Sequence, residues 1–226
     1  MNPDVYQAIR GSCIQGHRFD IIANNLANAG TTGFKKDRLS FGEVFQEHIS
    51  TDLGQGNLRH TGNPLDIALK GDGFFKIKTP RGIRYTRNGN FCLNAEGVLV
   101  TQNGDPVLGE NGVICMEGSN ITIDTQGEIK GDDVAADTLS VSVFARPERL
   151  RKEGSSYYVY KGQQGEVAKP EEVFVRQGYL EESNVVVVEE MTKMIEALRI
   201  YESYQKIVQT FDETTYKAIN EVGRLQ

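Results

Sequence analysis

The sequence predicts an α+β protein in which the two chain ends form one discontinuous helical coiled-coil domain and a mostly antiparallel β domain is inserted between them. Three observations predict this. Apolar residues recur at heptad spacing near both termini, they alternate at strand spacing in the middle, and glycines concentrate between residues 54 and 165.

Near the start, Val5, Ile9, Ser12, Gly16, Phe19, Ala23 and Leu26 follow one another in steps of four and three. That is the spacing of a coiled-coil seam, and Ser12 and Gly16 are small enough to let a partner helix approach closely. The helix is expected to stop in the run from Ala23 to Lys36, which holds Asn24, Asn25, Asn28, Gly30 and Gly33. Asn and Gly tolerate left-handed backbone angles, so they suit a chain leaving a helix in a fixed direction. On this reading Asn24, Asn25 and Asn28 are helix-end and inter-subunit hydrogen-bonding groups flanking Leu26, and the two glycines set the exit direction. The basic cluster Lys35, Lys36 and Arg38 reads as a solvated loop rather than a phosphate site.

Residues 31–63 are expected to be a linker, because 46–63 are rich in Gly, Asn, Thr and His. The β domain is expected over residues 64–183. Asn88-Gly89, Asn103-Gly104 and Asn111-Gly112 are hairpin signals. Phe74–Lys78, Ile121–Asp124, Leu139–Phe144, Tyr157–Tyr160 and Val173–Val175 have strand character. Gly71-Asp72-Gly73 lacks the third glycine and the following helix of a dinucleotide fingerprint, so it reads as a tight turn.

The helical domain is expected to resume over 184–226 and to pair with residues 1–30. Its seam is read as Val187, Met191, Met194, Leu198, Tyr201, Tyr204, Val208, Phe211, Thr215, Ala218, Val222 and Leu225. Two adjoining steps of three, at Leu198-Tyr201-Tyr204, predict local overwinding. A stripe this narrow cannot bury itself, so the helix needs partners. Met191, Met194, Leu198, Tyr201, Val208 and Phe211 are the candidate interface residues on it.

The 226 residues carry a formal net charge of −6. That balance argues against nucleic acid as a partner. No apolar run reaches the roughly 20 residues of a membrane span. The first residues, Met1-Asn2-Pro3-Asp4-Val5-Tyr6, lack the basic and apolar regions of a cleavable secretory signal. Cys13, Cys92 and Cys115 form no C-x-x-C pair and read as small buried hydrophobes. His17, His48 and His60 have no metal-ligand spacing, and no nucleophile elbow or phosphate loop is present. The expectation is therefore no catalytic residue, no cofactor, no metal and no small-molecule substrate. Glu181, Glu182, Glu189 and Glu190 flank the start of the long helix, where they favour its dipole.

Four ordered stretches resemble the flagellar rod protein family. They are residues 23–36; Gly56-Asn57-Leu58-Arg59-His60-Thr61-Gly62-Asn63-Pro64-Leu65-Asp66 with its continuation to Phe75; Tyr85-Thr86-Arg87-Asn88-Gly89-Asn90-Phe91; and Gln177-Gly178-Tyr179-Leu180-Glu181-Glu182-Ser183-Asn184-Val185 followed by Glu189 to Ile195. The His60–Asp66 stretch and the short length look most like proximal-rod members, with distal-rod members second. The resemblance implies a structural subunit of the bacterial flagellum basal body that assembles with itself and other rod proteins into a hollow, torque-transmitting helical rod in the periplasm. It also implies delivery by the flagellar type III export apparatus and terminal segments that order on assembly. Arg10, Cys13 and His17 stand where members often carry small and apolar residues in the first helix. Two readings of other classes stay open. One is a β-domain enzyme, which requires a polar pocket holding His48 or His60. The other is a cytosolic coiled-coil adaptor.

Overall fold

The computed structural model describes residues 3–41, 47–116, 121–132, 134–154, 156–162, 167–168 and 174–222. Its elements are helix α1 (Pro3–Ala27), then strands β1 (Asp37–Phe41), β2 (Glu47–Thr51), β3 (Leu58–His60), β4 (Ile67–Lys70), β5 (Phe74–Thr79) and β6 (Gly82–Thr86). There follow β7 (Phe91–Leu93), β8 (Leu99–Thr101), β9 (Ile121–Ile123), β10 (Glu128–Gly131), β11 (Val134–Thr138), β12 (Val141–Phe144), a 3₁₀ turn (Pro147–Arg149), β13 (Leu150–Glu153), β14 (Tyr157–Tyr160) and β15 (Val167–Ala168). The last are β16 (Phe174–Gln177), β17 (Tyr179–Glu181) and helix α2 (Val187–Val222). The fold class is α+β. The chain divides into two compact units: residues 1–27, 39–49 and 186–226 form one, and residues 28–38 and 50–185 form the other.

The first unit is built on the two helices, which run antiparallel. Asn25 lies against Glu190, while Ser12 lies against Gln205 and Gly11 against Tyr204. The 36 residues of α2 span about 54 Å and the 25 of α1 about 38 Å, so α2 runs on past the start of α1.

The second unit is antiparallel throughout, and its largest sheet has the order β13-β14-β6-β5-β12-β15. The β5–β6 hairpin turns at Pro80-Arg81, with Thr79 opposite Gly82. The Asn-Gly signals divide. Gly104 and Gly112 have positive φ and close tight turns, as expected. Asn88-Gly89 is no hairpin turn, because β6 pairs with β5 and β14 while β7 pairs with β8. Here Asn88 caps the backbone of Asn90, and Gly89 lets its carbonyl take the Ile67 N–H at 2.9 Å, with no room for a Cβ beside Ile67. Residues 31–63, expected to be a linker, carry β1, β2 and β3.

The main core gathers Ile67, Leu69, Phe75, Ile77, Phe91 and Leu99 with their neighbours. A second, aromatic cluster joins Phe74, Phe144 and Tyr158, whose rings meet edge to face at 5.6 and 5.4 Å from Phe74. Tyr158 is fully buried and its hydroxyl has no hydrogen-bond partner. Burial, reinforced by Asp37, raises its phenol well above the usual value of 10.0. Such a group contributes stability that is complete below pH 10, where the unfolded phenol is still protonated, and is lost as pH rises above it. Tyr158→Phe removes the unpaired hydroxyl, so it should raise stability by up to about 1 kcal/mol at pH 7. In urea titrations above pH 10 the parent should lose stability relative to the variant by about 1.4 kcal/mol per pH unit. A clear loss of stability in the variant at pH 7 contradicts this account of the hydroxyl.

Candidate assembly interface

The helix pair has an unusual allocation of side chains. The face of α2 turned to α1 runs through Glu190, Met194, Ala197, Tyr204, Val208 and Phe211, with Glu190 2% and Ala197 1% exposed. The opposing residues of α1 include Ala8, Ser12, Ile22 and Asn25, all buried. A Cβ on Gly11 would meet the Tyr204 ring, and the Gln205 amide donates to the Ser12 hydroxyl at 3.3 Å. Small groups at Ala8, Gly11, Ser12 and Ala197 thus alternate in the contact layer with larger ones at Ile22, Met194, Tyr204, Val208 and Phe211.

This face lies one position away from the expected seam in the first half of α2. Met191 is 51% exposed and Leu198 43% exposed, and Val187 and Tyr201 are exposed as well. Glu190 and Ala197 occupy the buried positions instead. The positions on this face from Glu190 to Phe211 fall at steps of four, three, seven, four and three, without the two adjoining steps of three that predicted overwinding. On α1, Ala8 and Ile22 are buried while the expected Ile9 is exposed and Ala23 half-buried, and Gly16 faces open space. Arg10, Cys13 and His17 share the exposed side of α1 and leave the packing face undisturbed.

What remains outside is apolar. Val187, Val188, Met191, Ile195 and Leu198 recur at i, i+3, i+4 and i+7 spacing and form one exposed stripe on α2. Ile200 and Ile207, seven residues apart, lie on another side. Gln15, Phe19, Ala197, Leu198 and Tyr201 line a cavity of about 230 Å³ in the helix pair. The sequence reading missed Val188, Ile195, Ile200 and Ile207. Their signal was a second apolar periodicity offset from the chosen seam.

Of the asparagines, Asn25 is buried and its amide donates to Glu190 Oε2 at 3.1 Å, while Lys193 donates to Glu190 Oε1 at 2.6 Å. Glu190 therefore does more than face the helix dipole: its buried carboxylate fixes α1 to α2. Leu26 is half-buried and Asn24 exposed. In the second unit, Asn28 accepts from the Thr31 hydroxyl and backbone N–H in the turn that follows α1.

The second unit holds a buried ion cluster. The Lys35 ammonium and the Glu181 carboxylate form an ion pair with both side chains 0% exposed, and Arg87 Nη1 lies 3.3 Å from the other Glu181 oxygen. Gly56 N–H also donates to Glu181, at 2.9 Å, and Lys35 donates to the Gly54 carbonyl at 2.7 Å. Burial holds the Lys35 ammonium below the usual lysine value despite Glu181, and holds Arg87 down in the same way. Lys152 caps the group from the side. It donates to the Lys35 carbonyl at 2.7 Å and to Asp37 at 2.9 Å, and lies 3.7 Å over the Phe34 ring. Two expectations are corrected here. Lys35 and Lys36 are buried rather than solvated: the Lys35 ammonium meets Glu181, and the Lys36 ammonium lies 4.0 Å from Asp52 while its backbone N–H donates to Asn184. Glu181 belongs to β17 and serves these cations, not the dipole of α2.

Gly33 has φ of +67° and no room for a Cβ against the backbone of Arg87 and Asn88, whereas Gly30 faces open space. Only Gly33 carries the conformational role expected of both.

All three cysteines are free, and Cys13 and Cys115 are exposed rather than buried. Among the described residues no group of three or more His, Cys, Asp or Glu could hold a metal, and no helix is long and apolar enough to cross a membrane. A polar cleft of about 470 Å³ in the β unit is lined by Arg81, Arg84, Asp105, Glu153, Tyr157 and neighbours, with no histidine.

An antiparallel pair of terminal helices with apolar stripes facing outward, together with a β unit lacking an assembled reaction centre among the described residues, defines a structural assembly protein. The comparisons with known proteins agree. The family described as "Flagellar basal body rod FlgEFG protein C-terminal" matches residues 176–221, "Flagellar hook protein FlgE/F/G D1 domain" matches 68–131 and "Flagella basal body rod protein" matches 15–35. The chain is 33% identical to the flagellar basal-body rod protein FlgF of Caulobacter vibrioides, over 100% of both chains. It is 31% identical to the flagellar basal-body rod protein FlgG of Bacillus subtilis, over 96% of this chain and 97% of the other. It is also 31% identical to the FlgF of Mesorhizobium japonicum, over 99% of each. The chain belongs to the flagellar basal-body rod protein family, and it is a structural protein rather than an enzyme.

Asn25→Ala should destabilise the helix pair by about 1–3 kcal/mol, because Glu190 stays buried with one donor fewer; melting followed at 222 nm reads this. Gly33→Ala should cost at least about 2 kcal/mol from backbone strain and overlap, while Gly30→Ala should stay within about 0.5 kcal/mol of the parent in urea titrations.

Proposed function

We propose that this chain is a subunit of the bacterial flagellar basal-body rod and builds into a hollow helical assembly with copies of itself and other rod proteins, transmitting torque from motor to hook. The observation that carries this reading is the exposed apolar stripe Val187-Val188-Met191-Ile195-Leu198 on a helix whose remaining apolar face is already used by α1. Water-exposed apolar rows of this length mark surfaces meant for partners. Open helical polymers use heterologous contacts, and the separate Ile200-Ile207 pair supplies a second side.

In this reading residues 1–30 and 184–226 are the axial helical coiled-coil domain, 31–63 connect, and 64–183 are the inserted outer domain. Asn24, Asn25, Leu26, Asn28, Met191, Met194, Leu198, Tyr201, Val208 and Phe211 are assembly-interface residues. Asn25, Met194, Val208 and Phe211 act by holding α1 and α2 together, and Met191, Leu198 and Tyr201 act on neighbours. The type III export apparatus delivers the chain to the periplasmic rod, with no part for nucleic acid, membrane insertion or a small-molecule substrate. The proximal rod is the favoured position, supported by the full-length similarity to FlgF of Caulobacter vibrioides. The distal rod is the alternative, supported by the similarity to FlgG of Bacillus subtilis.

Two neighbouring substitutions test the interface. Leu198→Asp should leave the helix content of the isolated chain unchanged yet abolish its recovery in purified basal bodies. Ala197→Asp, on the face against α1, should lower helix content as well. Normal incorporation of Leu198→Asp rules out the outward stripe as an assembly surface.

A further inference from the structure

Within the β unit, two strands from the first part of the chain find their partners only near its end. β3 pairs with β17 and β4 with β16. The same late segment receives the backbone between Gly33 and Asn57. Gly33 N–H donates to the Glu181 carbonyl at 2.7 Å and Lys36 N–H to Asn184 Oδ1 at 2.8 Å. The Asn184 amide donates to the Asp52 carbonyl at 2.8 Å, and Glu182 N–H to the Asn57 carbonyl at 2.8 Å. Gln177 adds a stitch, donating to the carbonyls of Pro64 at 3.0 Å and Ile121 at 2.8 Å. By contrast, the six-stranded sheet is completed by strands lying between Phe74 and Ala168.

The electrostatics have the same dependence. Glu181 is the carboxylate in ion-pair contact with buried Lys35 and Arg87. Without residues 174–185, docking the leading segment would bury the Lys35 ammonium beside Arg87 and leave both without their ion-pair carboxylate, which is strongly unfavourable.

We propose that residues 174–185 are a closing strap latched by Glu181. The leading segment, residues 33–38 and 50–70, docks and undocks with this strap as one cooperative unit, while the six-stranded sheet stays closed. Lys35 and Glu181 are 146 residues apart. Because synthesis runs from the N-terminus, the leading segment cannot lock until nearly the whole β unit has been made. The strap is a timing device: the leading segment is fixed only when residues 174–185 join it. It stands independently of how α2 meets its neighbours.

Native-state hydrogen exchange on the full chain, at graded low urea, tests this. Amides of β3, β4, β16 and β17 should share one opening that is easier than the opening protecting β5, β6, β12 and β14. Glu181→Gln should accelerate exchange in the first group by about 100-fold or more, the scale expected for breaking a buried ion pair, and leave the second group unchanged. A single common opening for both groups in the parent overturns the proposal. So does a Glu181→Gln variant that accelerates both groups equally or neither. If that variant fails to fold, the exchange pattern of the parent decides alone.

Discussion

The Glu181 carboxylate is the contact on which the β unit depends. It lies fully buried between Lys35 and Arg87 and accepts the Gly56 N–H. Four parts of the chain thereby become one joint: the segment leaving α1, the loop before β3, the bend after β6 and the strand before α2. The chemistry demands this tightness. A buried ion cluster is not intrinsically stabilising, because desolvation offsets most of the attraction. Its strength lies in intolerance of partial assembly, since removing Glu181 leaves two buried cations without their carboxylate. Hydrophobic burial alone tolerates slippage of a short strand such as β3; three charged groups with fixed partners do not.

The helix pair follows a different rule. Ordinary helical hairpins place large apolar residues inside. Here Ala8, Gly11, Ser12 and Ala197 bring the backbones together, and Met191, Ile195 and Leu198 stay outside. Where Gly11 meets the Tyr204 ring a side chain would have no room, so close contact there depends on the glycine. The outward stripes gain when a neighbour covers them.

How much of this could be read from the sequence depended on how local the determinant was. The helices and some strands, among them β9, β12 and β14, were legible, because periodicity and turn residues act within a few positions. Heptad phase was not. Two apolar stripes share α2, and choosing Leu198 over Ala197 followed size where geometry had selected smallness. Asn88-Gly89 misled because a hairpin signal cannot reveal that Ile67, far away in sequence, occupies the space beside the glycine. The ion cluster was the least legible feature. Lys35 sits in a basic run that reads as solvated, and Glu181 in an acidic run beside a helix. Only the pairing of β17 with β3 carries them into the interior together.

These two solutions divide the sources of stability within one chain. The β unit draws its core and its buried ion pairs from its own residues. The helix pair leaves large side chains outside, a deficit that mass action with partners can offset. In the rod subunit proposed above, that asymmetry separates folding from assembly. If the helices buried their large residues internally, the subunit would be stable alone but would have nothing to offer a neighbour. If the β unit depended on neighbours too, no folded surface would exist to be recruited. The small residues at positions 8, 11, 12 and 197 are therefore as much determinants of assembly as the large ones they displace outward.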